Sequence, residues 1–480
     1  MSYELLLINT ARFTSEIADY FHEYLGGHII ASYISKFDFR AKVYSCDILE
    51  LKNFIHKEII RHGVKIIGFY TGADTVIMIS HVISWLKKNY EDIKILAGGP
   101  EAYSLGEKFL RETGCDYIVP GEGEIPVLNI LRYEVDGLGK RELIRGIRFI
   151  DDSGKYIINA PEDVISDLDS LPFPDRNNSF NKNFRLGKSI GILTGRGCPF
   201  HCSFCFEGAA SKRVRLRSIQ NVKQEIEGVM KYNPDLKCVN IYDDTFTLNL
   251  ERIREFCTFM KKLKLVWSCE AHVLMLYRNP EIIKEMAESG LFAVQIGIES
   301  GSKKILDSYK KNIDPEMIIE VVKNCKSAGL LRVEGNYIIG GAFETLDTIQ
   351  ESIDHSKILI SEGRGIIELH SVFFAPYYGT PITRNPENFG IKFNHERISH
   401  SVITMQEAMT ENENLSTNEI VNAKIKFDSE LEKNYISEAA NTTKSEIIKG
   451  TAYKFPVSVT NYKWLHAWEK YPHIIEFMKH

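Results

Sequence analysis

The 480-residue chain has no run of about 18 apolar residues, so it offers no membrane span. Its N-terminus, MSYELLLINT, is too short in apolar residues and too poor in basic ones for a signal peptide. The formal net charge is only -5 at pH 7, which gives no electrostatic case for a nucleic-acid partner. Nine cysteines, an odd number scattered over a long chain, do not make a disulfide framework. These absences describe a cytoplasmic protein in a reducing setting. There is no repeat of solenoid period and no low-complexity tract. What remains is the composition of a soluble globular chain, 44% hydrophobic and 26% charged, too long for one hydrophobic core.

The first 135 residues alternate short apolar runs with helical patterns. ELLLIN (4–9), AKVYSCD (41–47), VKIIGFYT (64–71), IKILAGGP (93–100) and DYIVPGEGE (116–124) read as strands running into turns. Helices are expected from Ile29 to Lys36, in LKNFIHKEIIRHG and in TVIMISHVISWLKKNY. Strands separated by helices imply parallel units and a doubly wound, Rossmann-like sheet, with ligands at the strand carboxyl ends. Residues 136–186, with DSGKY and SDLDSLPFPDRNN, read as a linker. From 187 to 385 the βα rhythm resumes for six or so units, the pattern of a partial (β/α)6 TIM-like barrel. Residues 386–480 lose that rhythm and read as a mostly helical region that caps the barrel and carries substrate choice.

GRGCPFHCSFCFEG (195–208) places Cys198, Cys202 and Cys205 on one loop directly after a strand. A structural zinc site would want a fourth protein ligand, and although His201 lies inside the loop, no second C-x2-C follows. Thiolates are the usual ligands of an iron–sulfur cluster, which fits better. Three ligands for a four-iron cube leave one iron open for chemistry. Structural zinc and an incidental group of buried thiols are the alternatives.

RGCPFHCSFC resembles the signature of the radical SAM enzymes, and the resemblance spans about residues 1–385. It implies that Cys198, Cys202 and Cys205 hold a [4Fe–4S] cluster whose open iron chelates S-adenosylmethionine (SAM). One electron then cleaves the sulfonium to methionine and a 5′-deoxyadenosyl radical. By the same resemblance Phe204 lies beside the adenine, and Asp243 and Asp244 end a strand where the SAM amino group binds. The plainer role for those two acids is to cap the next helix. Glu270 and His272 would meet ribose or substrate, Glu299 and Ser300 the ribose and carboxylate, and Gly340 and Gly341 the adenine. Ala342 stands where the family usually has proline. Arg213, Arg215 and Arg217 alternate as a solvated face would, one of them within reach of the SAM carboxylate.

The order of a doubly wound domain, DLDSLPFPDR and then the cysteine loop resembles the cobalamin-binding (B12-binding) class of radical SAM enzymes. The implied architecture is α/β: a B12-binding-type domain, a partial radical SAM barrel and a mostly helical C-terminal region. Thr10, Tyr70, Thr71 and Asp74 would face the corrin. The glycine turns at Gly98 and Gly99 and at Gly121, Glu122 and Gly123 would let main-chain N–H groups meet it. No Asp-x-His-x-x-Gly motif follows the first strand, so cobalt would have no histidine below; a scaffold with a decayed cobalamin site is the alternative. The class implies methylation of an unactivated carbon or phosphorus centre in a natural-product or peptide substrate, through the adenosyl radical and methylcobalamin. It also implies an electron donor such as flavodoxin or ferredoxin, with neither nucleic acid nor membrane as partner. Two rivals are a peptide epimerase, cyclase or rearrangement enzyme and a non-catalytic electron-transfer or redox-sensing protein. Among the barrel thiols Cys238, Cys257, Cys269 and Cys325, Cys269 is the best hydrogen donor for an epimerase. Tyr377, Tyr378 and Gly379 close the barrel segment, and Trp464, Trp468 and Tyr471 read as a packed helix face.

Overall fold

The computed structural model describes residues 2–11, 25–47, 51–72, 75–176, 188–206, 213–394, 405–450 and 462–471. It divides into two compact units, residues 1–187 and 188–480. Among the described residues no helix is long and apolar enough to cross a membrane.

The first unit is built on a seven-stranded sheet of order β2-β1-β3-β4-β5-β6-β7. Its strands are β1 (Leu5–Ala11), β2 (Ala41–Asp47), β3 (Ile66–Tyr70), β4 (Lys94–Gly98), β5 (Tyr117–Val119), β6 (Arg148–Ile150) and β7 (Tyr156–Ile158). The first five pair in parallel. Leu5, Leu6, Leu7 and Ile8 are all buried, because a parallel sheet covered on both faces takes unbroken apolar strands. The helix expected from Ile29 begins earlier and spans Leu25–Ser35. One of its two glycines lies against the sheet: a Cβ on Gly27 would stand 3.4 Å from Val43.

Within the span read as a linker, β6 and β7 form an antiparallel hairpin that extends this sheet past β5. DSGK is its turn. The Asp151 carboxylate accepts from Ser153 N (3.0 Å), Ser153 Oγ (2.7 Å) and Lys155 N (2.9 Å), and Gly154 takes φ +82°. Phe149 is fully buried, so the hairpin belongs to the core.

The second unit holds a six-stranded parallel sheet in sequence order: β8 (Ser189–Ile192), β11 (Cys238–Ile241), β12 (Val266–Ala271), β13 (Leu291–Glu299), β14 (Arg332–Ile339) and β15 (Ile367–Phe373). A two-stranded ribbon, β9 (Gly195–Arg196) with β10 (Arg215–Leu216), follows β8. The crossover helices carry ordinary start and stop chemistry. Ser218 caps Ile219–Tyr232, Asn249 caps Leu250–Leu263, and a Thr345/Thr348 capping box opens Leu346–Glu362. Pro315 opens Pro315–Ala328 and Gly329, at φ +88°, ends it.

After β15 the chain makes a short antiparallel pair, β16 (Ile391–Phe393) and β17 (Thr410–Asn412), and then a helix over Thr417–Ala439. That helix buries Ile420, Ala423, Phe427, Leu431 and Tyr435 at helical spacing, and Phe427 meets Tyr337 of β14 at 5.0 Å. Tyr435 Oη donates to Ile367 O (3.2 Å) and accepts from Leu369 N (2.9 Å), while Trp464 Nε1 donates to Ile367 O (2.9 Å). Trp464 and Trp468 are fully buried, as the packing reading expected. Replacing Tyr435 by Phe keeps the shape but strands the Leu369 N–H, so it should cost about 1–3 kcal/mol in urea or thermal unfolding.

Candidate functional site

The cysteine loop is tied on one side to the segment after β11 and on the other to the end of the helix Lys303–Ser308 and to the helix Pro381–Arg384. Gly197, at φ +89°, donates its N–H to Asp244 Oδ2 at 3.0 Å. Downstream, Ser203 N donates to Tyr309 O (2.9 Å), Ser203 Oγ donates to Ser308 O (3.0 Å), and Ser203 O accepts from Ile382 N (3.1 Å). Phe204 packs edge-on to Tyr309 at 4.9 Å, beside Ile338, Ala342 and Phe374. Cys202 is buried and Cys198 and Cys205 are half-buried. Burial pushes the Cys202 thiol up to about 11, while Lys311 pulls the other way. Among the described residues no three His, Cys, Asp or Glu side chains converge on one ion site. Thiolates on a four-iron cube each take a different iron and need not converge.

The strand ends sort the sequence candidates by where their side chains turn. Asp243 is buried and committed: Thr194 gives it an N–H at 2.6 Å and a hydroxyl at 2.5 Å. Burial still pushes its carboxyl up to about 6. Asp244 accepts only from Gly197, which leaves its Oδ1 with no partner among the described residues. His272 caps the helix Val273–Arg278 through Nδ1, which accepts from Leu274 N at 3.2 Å. That bond puts the proton on Nε2, which is buried with no partner among the described residues. The ring lies flat on Phe200 of the cysteine loop, 3.7 Å away, and burial with Lys311 nearby pulls it down to about 3. Histidine 272 is therefore a neutral donor.

Glu299 forms a buried ion pair with Lys311 at 2.7 Å. Ser300 turns inward to Ser352 and to Ser302 N, holding the turn before the next helix. At Gly340 and Gly341 the missing side chains serve packing. A Cβ would stand 2.6 Å from Ile420 at the first and 1.7 Å from Tyr309 Oη at the second. Glu270 is exposed and in register with Gln295, which pairs with Glu334, which pairs with Glu368. Arg332 bridges the last two at 2.9 and 2.8 Å. Arg215 is buried in its ribbon, and Arg217 is held by Glu225 at 2.6 Å; Arg213 is exposed. Tyr377 is half-buried against Phe206, Tyr378 is exposed, and Gly379 takes φ +89°.

In the first unit, strand order reverses between β1 and β3, the kind of point where open α/β sheets bind ligands. Thr10 lies near the end of β1, and Asp74 lies outside the described residues. Tyr70, at the end of β3, is 37% exposed. Thr71 turns inward: its hydroxyl donates to Gly98 O (2.7 Å) and accepts from Ala102 N (2.9 Å). A Cβ on Gly99 would fall 2.5 Å from Thr71 O, so that glycine serves the approach of two backbones. Gly121 is different, with φ +71° and no atom of the described residues within 4 Å of where its Cβ would stand. Glu122 leads to Gly123, which opens the helix Glu124–Glu134; among the described residues neither that helix nor Val76–Asn89 has a side-chain cap.

Two family models match this chain: B12 binding domain over residues 16–131 and Radical SAM superfamily over residues 192–355. The chain belongs to the radical SAM superfamily. It is 31% identical over 314 residues to an uncharacterised methyltransferase of Pyrococcus horikoshii, covering 64% of this chain and 66% of that one. It is 27% identical to the cytidylyl-2-hydroxyethylphosphonate methyltransferase of Streptomyces wedmorensis, over 54% of this chain and 55% of that one. The chain thus spans between half and two thirds of the curated relatives named here. In structure it resembles the radical SAM methyltransferase TsrM of Kitasatospora setae with cobalamin and a [4Fe–4S] cluster bound. That match has a TM-score of 0.73 at 14% identity and covers 100% of this chain and 99% of that one. The cobalamin-dependent enzyme OxsB, with aqua-cobalamin and SAM bound, superposes with a TM-score of 0.71 at 15% identity, over 99% of this chain and 80% of that one. At such identities the likeness is one of fold.

Membership in the radical SAM superfamily brings a [4Fe–4S] cluster and SAM, and the B12-binding domain brings cobalamin. The residues present fit all three. Three thiols on an anchored loop suit the cluster, and the unpartnered Asp244 Oδ1 and His272 Nε2 suit a polar ligand beside it. The uncapped helix starts and the open glycine turn at Gly121 suit the anionic tail of cobalamin.

Sequence reasoning missed Lys311 and Glu344. Lys311 sits in the polar run YKKNID, which signals nothing about burial, whereas Glu344, in GGAFE, follows a glycine turn that was read for other reasons. Glu344 is fully buried, accepts from Gly340 N at 2.5 Å, and is pushed up to about 8 by burial. A carboxyl raised in the fold contributes stability that is full below its unfolded value and lost as pH rises towards 8. Between pH 5 and 8 the wild-type Tm should therefore fall relative to that of Glu344→Gln, by the equivalent of on the order of a few kcal/mol across the window.

Proposed function

We propose that this chain methylates an unactivated carbon, or a phosphorus centre, of a polar small molecule or peptide. The observation that carries the reading is the presence in one chain of a cobalamin-type sheet edge and an anchored three-thiol loop. When bound, the cluster and SAM supply a 5′-deoxyadenosyl radical, and cobalamin supplies the methyl group. The chain's own residues bind, orient and keep out water. Asp244 Oδ1 accepts from an ammonium group, and His272 Nε2 donates to an oxygen acceptor. Phe200, stacked on His272, and Phe204, edge-on to Tyr309, hold the loop's apolar side chains against the rest of the unit. The row Glu270, Gln295, Glu334 and Glu368 lines one sheet face with polar groups; Arg332 offsets the last two carboxylates, and the exposed Glu270 is the member placed to meet a polar substrate.

A one-electron donor such as a flavodoxin or ferredoxin would supply the reducing equivalent. The epimerase alternative draws little support from Cys269. That thiol shares the β12 face of Trp267, which packs on Phe246 and Phe256, and is buried among helix-side residues.

The test is anaerobic reconstitution with iron, sulfide and hydroxocobalamin. Corrin absorption should survive desalting, and SAM with dithionite should release both S-adenosylhomocysteine and 5′-deoxyadenosine. Release of 5′-deoxyadenosine without retained corrin would redirect the reading to hydrogen-atom chemistry alone, and release of neither product would sink it.

A further inference from the structure

The Glu299–Lys311 pair is held in place by unusual backbone. Glu299 ends β13 at φ +61°, just after a register shift against β14. Lys311 lies between Lys310 (φ 53°) and Asn312 (φ 56°), so three non-glycine residues in the left-handed region bracket one ion pair. Gly297 leaves room for it: a Cβ there would fall 2.3 Å from both Glu299 Oε1 and Lys311 Nζ. Both partners are only 7% exposed. Among the described residues the Lys311 ammonium bonds to Glu299 alone, although it has three donors. It also lies 5.9 Å from the centre of the ring of Phe204, the residue before Cys205.

A buried ion pair is weak support for a fold, because desolvating two charges offsets most of their attraction. Strained backbone and an excluded side chain, spent on placing such a pair against the Cys202–Cys205 arm of the loop, call for a role at the thiols. We propose that Lys311 and Glu299 set the reduction potential of the iron–sulfur cluster carried by Cys198, Cys202 and Cys205. The cluster gains one electron, and one negative charge, from an external one-electron donor; no bond is made or broken. The ammonium favours the electron-loaded form and raises the potential, and the carboxylate opposes it. Charge near the sulfurs and burial are the levers by which a protein tunes such a centre. This inference rests on the radical SAM reading of the loop.

The experiment is an EPR-monitored potentiometric titration of the reconstituted full chain without SAM, with dithionite as reductant. Lys311→Met should make the midpoint at least tenfold harder to reach in equilibrium constant, about 59 mV more negative. Glu299→Gln, which keeps the hydrogen bond and removes the charge, should move it in the positive direction, and Lys311→Arg should stay near wild type. Opposite signs from the two neutralising variants are the signature, since lost structure would shift both alike. Should Lys311→Met fail to fold, the positive shift of Glu299→Gln carries the test by itself. Cluster-bearing variants at unchanged potential, or shifted in the same direction, would overturn this inference alone. A wild-type chain that assembles no four-iron cluster would overturn the loop assignment beneath it.

Discussion

The hydrogen bonds that fasten residues 197–206 to other segments are the constraint on which the second unit's chemistry depends. A loop with three thiols and no regular structure would otherwise sample many geometries, and most would not fit one rigid inorganic cube. Here Asp244 grips one end through Gly197, while Tyr309, Ser308 and Ile382 grip the other through Ser203. The cost of ordering is met by hydrogen bonds to one strand-end carboxylate and to two short helices. Pre-organisation of this kind lets the ligands bind without waiting for the fold to rearrange.

In the first unit the same principle appears without side-chain ligands. The turns after β4 and β5 differ in purpose, although both read as glycine-rich in sequence. Gly99 lets two backbones touch, and Gly121 leaves space. Helix starts without side-chain caps then face outward from the carboxyl edge of the sheet, where fixed N–H dipoles can meet an anionic nucleotide tail.

Much of the architecture could be read from the chain alone. Unbroken apolar runs such as ELLLIN and VKIIGF admit little but buried parallel strands, and all six strands of the second sheet fall where the βα rhythm puts them. The hairpin of β6 and β7 was hidden by its shortness, although DSGK between RFI and YII is a turn signal. The cysteine loop was legible because spacing alone expresses it. The direction in which a strand-end side chain turns was not. Asp243, Ser300 and Thr71 each occupy a candidate position, yet each spends its polar atoms on neighbouring backbone or side chains. A single bulge, like the one before Glu299, reverses which residues face inward. Lys311 was invisible for a related reason, since its burial depends on a partner twelve residues earlier.

The anchoring of the C-terminal segment by Tyr435 and Trp464 has an outcome for the molecule in company. β15 is the last strand of its sheet, and its outer rim would display bare peptide groups able to recruit a strand from another chain. The Ile367 carbonyl and the Leu369 amide are taken by a phenol and an indole. An open barrel is thereby denied its stickiest margin, so the C-terminal segment also guards the protein against edge-to-edge aggregation.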